Sequence, residues 1–304
     1  MTRNRRWWLQ AGLLPVVLVA AFGVALPRFA GYDEVWSVAK DLDPKWLPAL
    51  LVLGAINLVA PSLSFRAALD GLRLRDAVVM DWATTLVTNL IPGGSALAVG
   101  LTWSMLRSFG LATGAIARAI AVTGVWDLLI KLGVPLLAVL LLAATAEVTA
   151  GLVAAATFGA VLFVAAVVFG RAMLSGGATA AAVGRFIDRL RFAGQGWPAR
   201  LDDLRQETAK MVGDRWRALT WWTAFGHANL FVLLVVCLRA VGADGSRLGL
   251  ASILAAFAFG RLITAVPLTP GGLGVLEVGL VGALGAAGTA PEAQLVAGVL
   301  LFRF

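Results

Sequence analysis

The chain has 304 residues, 60% of them hydrophobic and 14% charged, with a mean hydropathy of +0.88 and a formal net charge of +8. Soluble domains run at about 45–50% apolar and about 25% charged, so this composition excludes an ordinary soluble fold. A single cysteine, Cys237, excludes an internal disulfide and a cysteine zinc site; a single histidine, His227, has no partner at metal-ligand spacing, so neither metal nor cofactor is expected.

In chain order, Arg3, Arg5 and Arg6 precede an uncharged stretch, Trp7–Pro27. It is longer than the roughly 7–15 residues of a signal-peptide core and reads as an uncleaved first helix with a cytoplasmic N-terminus. The next loop carries Asp33, Glu34, Asp41 and Asp43 against Lys40 and Lys45 and suits the outside. Trp46–Phe65 is a second uncharged span, returning to Arg66, Arg73 and Arg75 on the inside. Such runs meet the roughly 20 residues of helix needed to cross a ~30 Å hydrocarbon core.

The following apolar segment, Ala77–Leu106, is broken by Pro92-Gly93-Gly94. Proline removes a backbone donor, and glycines supply no side chain to hold a helix. If this segment crossed once, Arg107, Arg118 and the basic region Arg171–Arg217 would all lie outside. If it dips in and returns, every basic loop is cytoplasmic, as positive charge in short loops requires. A re-entrant hairpin is therefore expected. Ala119–Ala146 and Val148–Gly170 then cross as a pair, placing Glu147 outside.

Arg171–Arg217 holds nine basic and five acidic residues. Its paired leucines and arginines at helical spacing fit either a basic amphipathic helix along anionic inner-leaflet headgroups or a solvated loop. The sequence pI near 10.9 likewise points to anionic lipid and away from nucleic acid. Ala218–Leu238 crosses next. The segment Leu248–Gly288, broken by Pro270-Gly271-Gly272, then enters and leaves from the outside. Pro291–Phe304 is too short to span, so the last helix is either cut short or partial.

The fold class expected is all-α: a polytopic integral membrane helical bundle with two re-entrant Pro-Gly-Gly hairpins in an inverted repeat, although the halves share little sequence beyond Pro-Gly-Gly. One transmembrane domain covers 1–304, with a first half to about 170, a cytoplasmic basic amphipathic loop at 171–217 and a second half from 218. Broken helices in corresponding halves are the best sequence pointer to a transport site.

Ionisable groups at membrane depth cost about 2.5–3.5 kcal/mol on insertion scales, so each needs a reason. Asp127 and Lys131 lie four apart on one helix face, either as a self-neutralising pair or as a headgroup site. Arg261 suits phosphate oxygens through its fork of donors; the alternative is an Arg261–Glu277 bridge pinning the second hairpin. Asn89 is expected to satisfy backbone freed by Pro92, and Asn57, Asp81 and Asn229 to bond between helices. His227 reads as a packing residue in preference to a proton relay. Tryptophans near span ends, such as Trp46, Trp221 and Trp222, read as interface anchors.

At these segments the chain resembles the lysylphosphatidylglycerol synthase transmembrane (flippase-like) family. The matching pieces are Asn89 with Pro92-Gly93-Gly94, Asp127 in the following span, and Pro267-Leu-Thr-Pro270-Gly271-Gly272-Leu273-Gly274-Val275 with Glu277. The resemblance covers nearly the whole chain. It implies an integral membrane protein that moves a lipid, such as an aminoacylated phosphatidylglycerol, between leaflets. Some relatives add a soluble aminoacyl-transfer domain; these 304 residues contain none, so translocation is expected in place of synthesis. The family often has an arginine before the aspartate matched by Asp127, where this chain has Trp126, so headgroup recognition is expected to differ.

The function expected is that of a cell-membrane lipid flippase with a phospholipid as its partner. Its candidate substrate-binding residues are Asn89, Pro92, Gly93, Gly94, Asp127, Lys131, Arg261, Pro270, Gly271, Gly272, Gly274 and Glu277. No catalytic set is assigned. Two other classes stay open: a membrane-embedded transferase on lipid-linked substrates, and a non-transporting subunit that docks a separate synthase through Arg171–Arg217.

Overall fold

The computed structural model describes residues 23–91, 94–145, 150–175, 181–182, 185, 188, 197–265 and 269–303. Most of the expected first span, Pro92 and Gly93, the Glu147 turn, most of 176–196, and 266–268 lie outside the described residues. Ten helices are taken here in order: α1 (Tyr32–Lys40), α2 (Leu47–Ala68), α3 (Leu74–Leu90), α4 (Gly94–Ser108), α5 (Thr113–Thr145), α6 (Ala150–Ser175), α7 (Trp197–Ala240), α8 (Leu250–Ala265), α9 (Val275–Ala287) and α10 (Glu292–Arg303). Among the described residues there is no strand.

Pro44–Ala68, Thr113–Ala143 and Asp202–Ala240 are each long and apolar enough to cross a membrane. Their packing is the reverse of a soluble helix. In α2 the buried residues are Ala60, Ser62, Ser64 and Ala68, whereas Leu51 is 73% exposed. Leu140 on α5, Phe169 on α6 and Trp221 on α7 are likewise more than 60% exposed. An apolar exterior around a core of small and polar contacts is what lipid selects, because lipid tails give apolar side chains no reason to hide. The chain is a membrane-embedded, multi-pass helical protein.

Small residues let α2 and α7 approach closely in antiparallel register. A Cβ on Gly226 would sit 3.7 Å from that of Ala60. The hydroxyls of Ser64 and Thr223 are 3.1 Å apart, and Asn229 Nδ2 donates to the Leu53 carbonyl at 3.1 Å. Helix α5 runs parallel to α7: Arg118 pairs with Glu207, and Trp126 Nε1 donates to Thr220 Oγ1 at 3.0 Å. One apolar core joins α8, α9 and α10 to the end of α7; a second joins α3, α4 and α5 to its middle, around Leu219.

The two interrupted segments form helix–turn–helix pairs, α3–α4 and α8–α9, which open toward opposite ends of the bundle. The first opens where α2 ends, at the level where Arg215 of α7 donates to the Ala67 carbonyl at 3.3 Å. The second opens beyond the far end of α7, where Arg239 Nη2 reaches the Leu248 carbonyl at 2.8 Å. Their turns meet between these ends: a Cβ built on Gly271 would overlap Asn89 Oδ1.

One element differs from the sequence reading. Trp197–Arg217 is continuous with the span that follows it, in one helix of 44 residues. Residues such as Leu201, Leu204, Gln206, Ala209, Lys210 and Met211 favour helix, and Pro198 sits at the start, where its missing N–H costs nothing. Its charges are also engaged: besides Arg118–Glu207, Arg215 pairs with Asp70, and Arg205 Nη1 donates to the Leu174 carbonyl at 2.9 Å. The last described stretch, Glu292–Arg303, is helical and brings Arg303 to the second turn.

The tight first turn yields a stability prediction. Gly94 N donates to the Ile91 carbonyl at 2.7 Å, and a Cβ there would collide with the Val87 carbonyl, which as backbone cannot rotate away. Gly100, on the same helix, has nothing within 4 Å of an added Cβ. Gly94→Ala is expected to destabilise by about 1–3 kcal/mol and Gly100→Ala to be neutral or stabilising by up to about 1 kcal/mol. Unfolding curves in detergent report both; equal effects would contradict the packing described.

Candidate functional site

A cavity of about 370 Å³ lies between α2, α5, α7 and α8. Phe65, Ile120 and Leu230 supply apolar walls, and Asn57, Ser64, Asp127, His227 and Arg261 supply polar ones. Asp127 Oδ2 is 2.7 Å from Lys131 Nζ, one helical turn on, and Oδ1 is 3.1 Å from His227 Nε2 on α7. Ionised, a carboxylate only accepts, so the His227 proton sits on Nε2 and donates to Asp127. His227 Nδ1 is buried without a hydrogen-bond partner. Arg261 lies on α8 with its guanidinium 5.7 Å from the centre of the Phe257 ring, its Nε buried without a partner, and within electrostatic reach of Asp127.

One carboxylate thus faces two permanent cations, Lys131 and Arg261, with a histidine beside it. The arrangement carries surplus positive charge in an otherwise apolar bundle. Chemically it suits an anion with oxygen acceptors, and a phosphate fits the guanidinium fork.

A second cluster holds the turns. Glu277, fully buried in the first turn of α9, accepts from the Gly274 N–H at 2.7 Å through Oε2. Its Oε1 lies 3.0 Å from Arg303 Nε at the end of α10, an ion pair not aligned as a hydrogen bond. Arg303 Nη2 donates to the Gly271 carbonyl. Pro270, Gly271 and Gly272 make a single 3₁₀ turn in which Gly271 has φ 57°, a conformation that disfavours any side chain. Asn89 presses on Gly271 from the other hairpin. Arg303 also lies within electrostatic reach of Arg261, so the two clusters adjoin.

The sequence-derived residues therefore separate into two places. Asp127 and Arg261 line the cavity, and Lys131 pairs with Asp127 from one turn further along α5. Asn89, Pro270, Gly271, Gly272, Gly274 and Glu277 build the turn contact, Gly94 closes the first turn, and Pro92 and Gly93 lie outside the described residues. The Arg261–Glu277 bridge does not form, because Arg303 occupies the carboxylate instead. Sequence reasoning gives His227 a packing role, since its partner Asp127 is 100 residues away, and leaves out Arg303, which lies in a stretch read only for its length. An arginine within an apolar 14-residue stretch was the available signal for the latter.

A second cavity, about 220 Å³, lies between the first hairpin and α2 and α5, lined by Thr84, Thr85, Thr88, Asn89 and Thr102. Phe65 and Ile120 line both cavities.

Arg303→Met would leave the Glu277 carboxylate buried and unpaired, at a cost of about 3–5 kcal/mol. Adding Glu277→Gln removes the charge and is expected to recover most of the loss. Thermal unfolding of the three variants in detergent tests this; a single Arg303→Met variant as stable as the parent would contradict it.

The sequence model of the lysylphosphatidylglycerol synthase TM region matches residues 12–304. No curated protein and no solved structure matches the chain. The family match spans both hairpins, the charged cavity and the turn contact, and the chain belongs to the lysylphosphatidylglycerol synthase transmembrane-region family.

Proposed function

We propose that the chain moves an anionic phospholipid between leaflets, with the headgroup passing through the charged cavity and the acyl chains staying in the bilayer. The observation that carries this reading is the surplus positive charge of Asp127, Lys131 and Arg261 around a cavity enclosed by apolar-faced helices. Charge at that depth is costly unless it binds something charged. Arg261 holds the lipid phosphate; Asp127 holds Lys131 and His227 in place and keeps the empty site from carrying its full positive charge.

In this reading the N-terminus is cytoplasmic, and the hairpins α3–α4 and α8–α9 are re-entrant, one from each face, as halves of an inverted repeat. Basic residues of 171–217 that are not paired within the bundle meet anionic inner-leaflet headgroups. Moving one net charge against the membrane potential costs about 2.3 kcal/mol per 100 mV, so the cavity's own countercharge bears on how far transport opposes the field.

A second reading rests on the Asp127–His227 contact. A carboxylate that orients a histidine through Nε2 is a recurring general-base arrangement, and a transferase acting on lipid-linked substrates would use it. Its other nitrogen, Nδ1, is buried without a hydrogen-bond partner.

In proteoliposomes, Arg261→Gln is expected to weaken lipid handling by about ten- to a hundredfold, the loss of a charge-assisted hydrogen bond, with the yield of folded protein unchanged. Unaltered translocation would remove Arg261 from the site. The same purified chain, given aminoacyl-tRNA and phosphatidylglycerol, is expected to form no aminoacylated lipid; product formation would favour the enzyme.

A further inference from the structure

Histidine is the one side chain whose unperturbed change of charge falls between about pH 5 and 8, and His227 is the only one in the chain. It lines the charged cavity, with its side chain 8% exposed. Nε2 is committed to Asp127 Oδ1 at 3.1 Å, and Nδ1 is buried with no hydrogen-bond partner. A cationic ring would place a second N–H where nothing accepts it, and an unpaired charged donor costs more than an idle lone pair. The empty site therefore holds the ring with one proton, on Nε2.

The charges around the ring decide when a second proton is admitted. On α5 they are Asp127 and Lys131, and on α8 Arg261, which has Arg303 of α10 in electrostatic reach behind it. The residues that α2 brings to the cavity, including Asn57 and Ser64, are uncharged, as are the others from α7. Counting Asp127, Lys131 and Arg261, the empty site carries one net positive charge, and a protonated ring would raise it to two. A phosphate diester brings one negative charge, so the same protonation then raises the site from zero to only one. The anion thus favours the proton, and by reciprocity the proton favours the anion by the same factor.

We propose that His227 is a proton-binding site, and that the lipid anion is bound and carried together with one proton taken up on Nδ1. This rests on the anion site proposed above and adds its energy source. An anion and a proton crossing together transfer no net charge, so the lipid follows the proton gradient and is not held back by the membrane potential.

Because the histidine is unique, isotopic labelling of histidine nitrogen in the full chain, purified through a tag without histidine, leaves one ring to follow by NMR in detergent. The probe is a short-chain phosphatidylglycerol, whose phosphate diester lacks the second ionisation that a monoester has near about pH 6. At about pH 7.5, saturating lipid is expected to convert Nδ1 from a bare nitrogen to N–H. Lipid should bind at least about fivefold more tightly at about pH 6 than at about pH 8. His227→Gln, whose amide can still donate to Asp127, should remove that dependence; the labelled parent chain decides the matter even if this variant fails to fold. In phosphatidylcholine proteoliposomes with the membrane potential clamped at zero, acid on the side where labelled lipid starts should speed its translocation. A ring unchanged by saturating lipid, or one carrying both protons without it, would overturn the proposal. So would a pH dependence that survives His227→Gln, or translocation indifferent to the proton gradient. Failure of the lipid to bind, or binding indifferent to Arg261→Gln, would instead sink the anion site on which the proposal rests.

Discussion

Asn89 and Arg303 close on Gly271 from two sides, and the rest of the molecule is arranged around that contact. A chain that stops being helical inside a bundle of apolar helices frees N–H and C=O groups that lipid cannot satisfy. Here Arg303 and Glu277 satisfy backbone groups freed at the second turn, and Asn89 packs against it. The first hairpin brings Asn89, the last helix brings Arg303, and the second hairpin folds its own Glu277 back onto the Gly274 N–H. Glycine at 271 serves twice, by accepting a left-handed φ and by leaving no Cβ where Asn89 must sit.

The charged cavity depends on this anchoring at one remove. Helix α8 leads into the second turn and carries Arg261 six residues before Pro267, so fixing the turn fixes the guanidinium relative to Asp127. The opposing wall is set by the close approach of α2 and α7 at Ala60 and Gly226, which brings His227 to Asp127. Two packing features of small residues thus assemble a polar site from four helices. Its surplus charge makes it a poor structural device by itself, since a neutral packing of the same volume would cost less.

Much of this was legible in the sequence. The uncharged run Trp46–Phe65 and the apolar stretches Ala119–Ala146 and Ala218–Leu238 marked the three span-length helices, and Pro-Gly-Gly marked where both hairpin helices stop. Asp127 and Lys131 were readable as a pair because they share one helix face. Contacts between distant helices were not readable: nothing local says that His227 faces Asp127, or that Glu277 prefers Arg303 over Arg261. By its sequence the basic region ending at Arg217 fits either an amphipathic helix along the headgroups or a solvated loop. Its helix propensity and its ion pairs with Arg118 and Asp70 prevailed, carrying α7 well beyond the apolar span.

The central claim is that the two hairpins enter from opposite faces and meet at their turns. Accessibility at their mouths tests it most directly, using single cysteines at Ser108, where α4 ends, and Ser246, just before α8, both exposed, in a chain with Cys237 replaced by serine. An impermeant thiol reagent applied to intact cells is expected to label Ser246→Cys at once and Ser108→Cys only after permeabilisation. Labelling of both from the same side would contradict the account.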